Sequence, residues 1–318
     1  MYYFIVNKTG GSGKAVKRWN KLQKFLDKSN IEYKVIFSEY VMHAKKIASE
    51  LCSLNEKVKV IVVGGDGTLN EVINGITDFS KISLGIIPAG SGNDFSRQFK
   101  IPRHNSKRAF KKILRNQASG KEKFIDLGQA RFTTESGEEK NLLFSISSGM
   151  GFDALICEKN DSSKLKKALN KMHMGKFSYL AISLQTIFLM KPFGATVHFE
   201  DGGTSENSTL RLDHMIFLAA MNFRAEGGGI KMSPMAVPDD GYFTICAVSN
   251  VKKLLLLQKF LLLATSLHVK NKSFTFRNTA KFSIKSDVPV TIHTDGEFFT
   301  NISEIHYTCH HNKLSVLV

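Results

Sequence analysis

The sequence predicts an N-terminal α/β domain with a parallel sheet, followed by a mainly antiparallel β-sandwich domain. In the first 120 residues, short apolar runs alternate with segments whose apolar residues recur at helical spacing, as in parallel strands joined by helices. From residue 121 onward, strand-like segments follow one another through polar or glycine-containing turns, which is typical of antiparallel sheets. The last of these segments are Lys281–Ile284, Val290–His293, Glu304–Cys309 and Lys313–Val318. We therefore expect domains at residues 1–120 and 121–318. The last strands either complete the second domain or return to the first.

Each strand of the first domain is predicted from a run of mostly apolar, often β-branched residues. These runs are Tyr2–Val6, Tyr33–Phe37, Val58–Val63 and Ile82–Ile87. Helical spacing follows in segments that begin near Val16, His43, Leu69 and Ser106. Because crossover helices keep such strands parallel, their carboxyl ends meet at one edge of the sheet, where ligands bind in this class of fold.

The most informative turn joins the strand Val58–Val63 to the helix that begins near Leu69. Its sequence is Gly64-Gly65-Asp66-Gly67-Thr68. Glycine lets backbone N–H groups approach an anion closely, and a helix N-terminus favours phosphate. A tight turn without a ligand would show similar glycines. Asp66 favours a ligand, because a carboxylate in an anion-binding turn needs a metal ion, a bridging water or a cation nearby.

A second candidate phosphate loop follows the first strand. Residues Asn7–Gly13, with the sequence NKTGGSG, lie between that strand and the helix that begins near Val16. Like Gly64–Thr68, this loop lies at the end of a predicted parallel strand, so both are expected at the ligand-binding edge of the sheet. A plain surface turn is the alternative interpretation.

The composition limits the classes of partner. Lysine and arginine outnumber aspartate and glutamate by 44 to 28, which gives a net charge of +16. Such a charge attracts nucleic acid, anionic membranes or polyphosphate ligands. Neither a DNA-reading helix motif nor an RNA-binding aromatic signature accompanies it, so we expect no nucleic-acid partner. The four cysteines are far apart, which favours reduced thiols and a cytoplasmic location.

No targeting or membrane-spanning segment is predicted. The N-terminus becomes polar too early for a signal peptide, and no apolar run reaches the roughly 18 residues of a transmembrane helix. Two helical segments, Lys159–Met190 and Val251–Leu267, instead place lysines beside apolar faces. This arrangement suits peripheral docking on the inner face of an anionic membrane. Ordinary amphipathic helices with solvated lysines have the same pattern.

Two motifs together carry a resemblance to a known family. The GGDGT sequence at Gly64–Thr68 resembles the nucleotide loop of the diacylglycerol kinase catalytic domain family, and NAD kinases and related phosphofructokinase-like enzymes share it. PAGSGNDF at Pro88–Phe95 looks like the PxGTxNDF element of the bacterial lipid kinases, which separates them from NAD kinases. The resemblance extends over essentially the whole chain. It implies a phosphofructokinase- and NAD-kinase-like first domain and a lipid-binding second domain.

The resemblance also implies which residues contact ATP. The loop at Asn7 is similar to the family's NPxSG element, with Lys8 in place of the proline and Gly10 in place of the small residue before glycine. Ser38 occupies the position of a nucleotide-contacting threonine, although a lone serine there also suits a helix cap. The implied ATP-binding residues are Asn7, Lys8, Thr9, Gly10, Gly11, Ser38, Gly64, Gly65, Asp66, Gly67, Thr68, Asn70, Glu71 and Ser91.

Magnesium ligands are implied at two places. Related lipid kinases link aspartates to Mg²⁺ through water, and the matching residues are Asp66, Asp94 and Asp126. The alternatives are that Asp94 caps a helix and that Asp126 is an ordinary strand residue. The loop PMAVPDDGY is similar to one that holds a structural Mg²⁺, which implies ligands at Val237, Asp240 and Tyr242. As a bare pattern, PDDG is a turn.

The candidate general base lies in Thr294-Asp295-Gly296-Glu297, which resembles the family's DGE element. In isolation such a sequence is usually a β-turn. Residues 295 and 297 of an extended segment point to the same face, so alternation does not separate their roles. Glu297 is one methylene longer and follows a flexible glycine, so we expect it to be the base with Asp295 as its supporting partner. The reverse assignment remains for experiment.

Taken together, the resemblance implies an ATP- and Mg²⁺-dependent lipid kinase. The expected partners are a lipid alcohol substrate and the anionic inner surface of a membrane, with a homodimer left open. One alternative is an NAD kinase-like phosphotransferase, which Pro88–Phe95 and the late DGE sequence disfavour. Another is a non-catalytic nucleotide- and membrane-binding protein, which would not need the carboxylates of Asp295 and Glu297.

Overall fold

In the computed structural model, the chain is described at residues 1–10, 13–120, 122–162, 186, 190–200, 208–251, 255, 258–259, 262–263 and 265–318. A parallel sheet in the order β2-β1-β3-β4 forms the centre of the first domain. Its strands are β1 (Tyr2–Asn7), β2 (Tyr33–Ser38), β3 (Val58–Gly64) and β4 (Ile82–Pro88). The helices are α1 (Lys14–Lys28), α2 (His43–Cys52), α3 (Asp66–Ile73), α4 (Asp94–Gln98) and α5 (Ser106–Ala118). β4 is buried along its whole length, as expected for a strand covered on both faces.

Antiparallel pairing dominates the second domain. Its strands are β5 (Lys123–Thr133), β6 (Glu139–Phe144), β7 (Ser147–Gly151), β8 (Phe193–Phe199), β9 (Thr209–Met215), β10 (Phe217–Met221), β11 (Phe243–Val248), β12 (Phe274–Thr279), β13 (Lys281–Thr294) and β14 (Glu297–Val316). Helix α6 (Phe152–Ser162) follows β7, and a short 3-10 helix covers Leu267–Lys270. Neighbouring strands run in the order β12-β11-β10-β7-β13-β14, while β5 and β6 extend from β14, and β8 and β9 from β13.

The core of the second domain centres on a group of aromatic rings. Phe282 stacks on Tyr307 with a centroid distance of 4.6 Å, and Phe144 stacks on Phe243 at 5.4 Å. Each is fully buried or nearly so, and they come from β13, β14, β6 and β11. Burial of such rings is the main source of stability in a sandwich core, so the strands that bound the candidate site rest on a rigid base.

Each of the two longest strands covers two segments that the sequence predicts as separate strands. β13 contains the predicted strands 281–284 and 290–293, and its pairing with β14 shifts between Lys285 and Val290. β14 contains the predicted strand 304–309 and most of 313–318, and its pairing with β5 shifts between His310 and Leu314. A β-bulge absorbs an irregular polar stretch without ending the strand. The prediction of separate strands is therefore wrong at both places.

β14 joins the two halves of the molecule. Most of its length pairs antiparallel with β13 and β5, whereas Ser315 and Val316 pair in parallel with Ser83 and Leu84 of β4. The predicted lysine-flanked helices, Lys159–Met190 and Val251–Leu267, lie largely outside the described residues. Within the part of the chain that the structure describes, no helix has both the length and the apolar character needed to cross a membrane.

Candidate active site

The glycine loops lie together at the carboxyl edge of the parallel sheet. β1 pairs with β3, and β3 pairs with β4 up to Gly64 and Pro88, so the loops after these strands are neighbours. A Cβ atom added to Gly90 would lie 2.7 Å from the Cα of Gly65. The two loops therefore touch backbone to backbone, and glycine is required there because any side chain would push them apart. Ser91, the next residue after Gly90, is exposed to solvent.

Asn7 connects the Asn7–Gly13 loop to the GGDGT turn. Its Nδ2 donates a hydrogen bond to Thr68 Oγ1 at 2.8 Å, and its Oδ1 accepts from the backbone N–H of Thr9 at 3.0 Å. Lys8 forms an ion pair with Glu39, and its N–H donates to the carbonyl of the buried Ser38. These bonds hold the Asn7–Gly13 loop against the neighbouring strand end and the GGDGT turn. Gly11, also predicted to contact ATP, lies outside the described residues.

The side chain of Asp66, the first residue of α3, lies at the start of α4, whose first residue is Asp94. Asp66 accepts the backbone N–H groups of Asp94 at 3.0 Å and Phe95 at 3.2 Å, so Asp66 caps this helix. The alternative interpretation, in which Asp94 is the cap, is wrong. Asp94 Oδ2 instead accepts the N–H of Gly228 in the second domain at 2.7 Å. Burial, followed by the charge of Asp94, raises the pKa of Asp66 to about 6.

One buried oxygen of this pair is unsatisfied. Asp94 Oδ1 has no hydrogen-bond partner among the described residues, and the Arg97 Nε is 3.6 Å away. A Cβ at Gly92 would lie 3.1 Å from Asp66 Oδ2 and 3.3 Å from Asp94 Oδ2. Both carboxylates therefore face one small space that any side chain at residue 92 would fill. Burial raises the pKa of Asp94, because removal from water disfavours the charged carboxylate.

The carboxylate of Asp295 is held by donors on both oxygens. Oδ1 accepts the N–H groups of Ile146 and Ser147 at 2.9 and 3.0 Å. Oδ2 accepts the N–H of Ser145 at 2.8 Å, the Ser145 hydroxyl at 3.2 Å and the Asn70 amide at 3.1 Å. The carboxylate of Asp295 thus accepts five hydrogen bonds, which fix its position against residues 145–147. Asn70 belongs to α3, so this bond joins the GGDGT helix to the second domain.

Glu297 has a different environment two residues later. Its side chain is exposed to solvent along part of its length. Partial burial of the carboxyl group raises its pKa, the carboxylates of Glu71 and Asp295 raise it further, and Lys45 opposes them. Glu71, predicted to contact ATP, accepts the backbone N–H of Ala44 in α2 at 3.2 Å. Glu297 is thus a carboxyl group with an increased proton affinity.

The structure places Asp126 with the second acidic loop. Asp126 is fully buried and accepts hydrogen bonds from Gly241 N–H at 2.6 Å, His311 Nδ1 at 3.0 Å and Asn312 N–H at 2.7 Å. Asp240 accepts the N–H of Tyr242 at 3.0 Å, and burial with the nearby Asp126 raises its pKa. Val237 and Tyr242 are exposed in the same loop.

A further polar cluster was not predicted from the sequence. Asp153 at the start of α6, Glu226 after β10 and His293 in β13 are far apart in the chain, and nothing in the spacing of these residues indicates that they meet. Ser147 donates a hydrogen bond to Glu226, while its backbone N–H donates to Asp295. Burial alone would lower the pKa of His293, but the hydrogen bond to Asp153 and the surrounding carboxylates raise it to about 9. Burial raises the pKa of Glu226 to about 7.

Comparison with known proteins places this geometry in a family. Residues 1–130 match the model of the diacylglycerol kinase catalytic domain, and residues 146–318 match the YegS C-terminal NAD kinase beta sandwich-like domain. The chain belongs to the diacylglycerol kinase family. This is a family of lipid kinases, which are phosphotransferases. It is 30% identical over 298 residues to the Bacillus subtilis (strain 168) protein named "Putative lipid kinase YtlR", with 93% of each chain covered. It is 27% identical over 295 residues to a diacylglycerol kinase of Staphylococcus aureus (strain MRSA252), covering 92% of this chain and 85% of that one.

Solved structures of this family and of NAD kinases share the fold. A structure described as a "putative diacylglycerol kinase from Bacillus anthracis str. Sterne" aligns with a TM-score of 0.74 at 20% identity, covering 99% of this chain and 96% of that one. Yeast NADH kinase complexed with NADH aligns with a TM-score of 0.54 at 10% identity, covering 99% and 82%. The predicted fold class, a parallel α/β domain followed by an antiparallel sandwich domain, is confirmed.

Proposed function

We propose that this protein transfers the γ-phosphate of ATP to a hydroxyl group of a lipid alcohol. The observation that carries the proposal is the bond between Asn70 and Asp295 at 3.1 Å, which links the helix of the GGDGT loop to the DGE segment. Phosphoryl transfer needs a cradle for phosphate and a group that accepts the proton of the attacking hydroxyl, both in one cleft. In this proposal residues 1–120 bind ATP and residues 121–318 bind the lipid.

Mg²⁺ suits the space between Asp66 and Asp94. The unsatisfied Asp94 Oδ1 and the two oxygens that face Gly92 are hard donors of the kind that Mg²⁺ prefers. When bound, the ion would neutralise charge on the phosphate oxygens. We also propose a structural Mg²⁺ at Asp240 and the backbone of Val237 and Tyr242, with Asp126 supporting that loop through its bond from Gly241.

Glu297 is the proposed general base. As the lipid hydroxyl attacks the γ-phosphorus and ADP departs, the hydroxyl proton passes to the Glu297 carboxylate, which is partly exposed to solvent and has a raised pKa. Asp295 fixes the start of β14 through its bonds to residues 145–147 and so orients Glu297. The bond between Asn7 and Thr68 holds the Asn7–Gly13 loop beside the GGDGT turn.

A phosphate-transfer assay over a panel of acceptors tests the proposed function. Radiolabelled ATP is offered with diacylglycerol, a sphingoid base, phosphatidylglycerol or NAD in mixed micelles. We expect label in at least one lipid and none in NAD. Label in NAD alone would contradict a lipid kinase, and label in no acceptor, with ATP still bound, would favour a nucleotide-binding protein without catalysis.

Gly67→Ala tests whether phosphate binds at the GGDGT turn. A Cβ at Gly67 meets no protein atom within 4 Å, and alanine is a better helix residue than glycine, so folding is preserved. A methyl group there would occupy the position at which phosphate approaches the N-terminus of α3. We expect a Kd for ATP at least about tenfold higher, as for a contact worth about 1.4 kcal/mol. An unchanged Kd would contradict phosphate binding at this turn.

We propose that the protein lies in the cytoplasm and docks peripherally on the inner face of an anionic membrane. We also propose that it forms a homodimer. The net charge of +16 supports docking, as does a cavity of about 440 Å³ between α1 and α5, lined by Lys14, Lys17, Arg18, Lys21 and Lys107 among others. We expect binding to phosphatidylglycerol vesicles to fall as salt rises, because surface charges are screened within about 8 Å at physiological ionic strength. Sedimentation with phosphatidylcholine vesicles is the control, and salt-independent binding would contradict the proposal.

A further inference from the structure

The cluster of Asp153, Glu226 and His293 has the composition of a metal site. One ligand atom from each residue lies within 4.8 Å of the other two. The closest pair is His293 Nε2 and Asp153 Oδ2, at 3.2 Å. Two ligands bound at about 2.0–2.2 Å to one tetrahedral ion lie about 3.3–3.5 Å apart, so this pair is already close to ligand spacing. Glu226 needs only a small side-chain movement to join them.

The two carboxylates of the cluster share a single imidazole. Two carboxylates and one imidazole are brought together where Asp153 is 8% and His293 is 3% exposed. Glu226 keeps part of its surface in solvent, while its carboxylate lies among protein atoms. Within the described part of the chain, the ion pairs of these carboxylates include His293 but no lysine or arginine. A buried carboxylate without a cation is costly, so a further positive charge would stabilise the cluster.

The hydrogen bonding of the cluster is also incomplete. His293 Nδ1 is buried and has no partner among the described residues. An ordered water would satisfy this atom and would serve as the outer partner of a ring whose Nε2 faces Asp153. The three side chains come from α6, the loop after β10 and β13, so a bound ion would cross-link elements that no disulfide connects.

We propose that Asp153, Glu226 and His293 bind a divalent transition-metal ion such as Zn²⁺, with a fourth position open to water. Imidazole with carboxylates selects Zn²⁺ or Co²⁺ over Mg²⁺, whose ligands are oxygens. Its ligands are residues other than Asp66 and Asp94, and the proposal does not depend on the proposed kinase function. Its effect on the candidate active site would pass through Ser147, which donates to both Glu226 and Asp295.

Co²⁺ titration of the metal-stripped protein tests the proposal, with excess Mg²⁺ present to fill the oxygen sites. We expect one Co²⁺ per chain, with visible absorption bands that Zn²⁺ abolishes. His293→Gln and Glu226→Gln should each weaken Co²⁺ binding by more than about tenfold, because each removes a direct ligand. Zn²⁺ should also raise the melting temperature of the wild type, since it binds only the folded state.

His306→Gln is the matched control, because His306 forms a similar pair with Glu304 at 3.4 Å on the surface of β14. It should bind Co²⁺ like the wild type. If His293→Gln fails to fold, Glu226→Gln carries the test, since it is nearly isosteric and partly exposed. The proposal is overturned if the wild type binds no Co²⁺ in excess Mg²⁺, or if the folded variants bind it with unchanged affinity.

Discussion

Glu297→Gln should lower kcat by about 10²–10⁴ while the Kd for ATP and the melting temperature stay close to those of the wild type. Glutamine keeps the shape of the side chain but does not take a proton from the lipid hydroxyl. The wild-type kcat should rise with pH as Glu297 loses its proton, at a pH above the usual range for glutamate because its pKa is raised. The variant should lack this limb of the profile. Single-turnover phosphate transfer to the accepted lipid, measured across a range of pH, gives both the rate and its pH dependence.

Glu304→Gln is the control for this prediction, because Glu304 lies on the same strand and its surface ion pair with Lys285 spans 4.0 Å. It should leave kcat unchanged. If Glu297→Gln keeps wild-type kcat and pH dependence, the base lies elsewhere. If Asp295→Asn alone abolishes turnover in a stable protein, the two roles are reversed.

Asp295→Asn should lower both the stability of the fold and kcat. An asparagine must turn its NH₂ group toward either the N–H groups of Ile146 and Ser147 or those around Ser145, so donors face donors. A buried donor left without an acceptor costs about 1–3 kcal/mol. The φ of +48° at residue 295 suits asparagine, so backbone strain does not contribute. The urea midpoint of unfolding should fall accordingly, with kcat reduced because Glu297 loses its support.

Asp287→Asn is the matched control, because it changes an exposed aspartate that pairs with Arg211 on the surface. Its urea midpoint should stay near that of the wild type. Loss of turnover in Asp295→Asn without any loss of stability would contradict the view that Asp295 acts by holding β14 in place.

Local sequence patterns were sufficient for the parallel domain. Val58–Val63 form a strand and a helix follows it, as their periodicity predicts, but α3 begins at Asp66 and so includes the last three residues of the predicted turn. The close approach of Gly65 and Gly90 explains why both loops need glycine, but it involves two distant segments and has no local signal. The same is true of the cap of α4, because its acceptor, Asp66, is supplied by another loop.

The second domain was harder to predict in detail because its strands are irregular. The predicted breaks at 285–289 and 310–312 are bulges within β13 and β14, since tertiary pairing maintained each strand across polar residues. The predicted site residues Asp295 and Glu297 came from a motif. Asp153, Glu226 and His293 meet only because β7, β10 and β13 are neighbours, and sequence order does not reveal which strands pair.

The passage of β14 between the domains has a mechanical consequence. Ser315 is paired with Ser83 of the first domain while Tyr307 is paired with Ala130 in the second, so any rotation of one domain against the other would bend this strand. Bending is easiest where the ladder is interrupted, between His310 and Leu314, and Asn312 there has a φ of +48°. Asn312 within this interruption donates its backbone N–H to Asp126. The acidic loop at Gly241 is bound to the same carboxylate, so it would move with this part of the strand and respond to the angle between the domains.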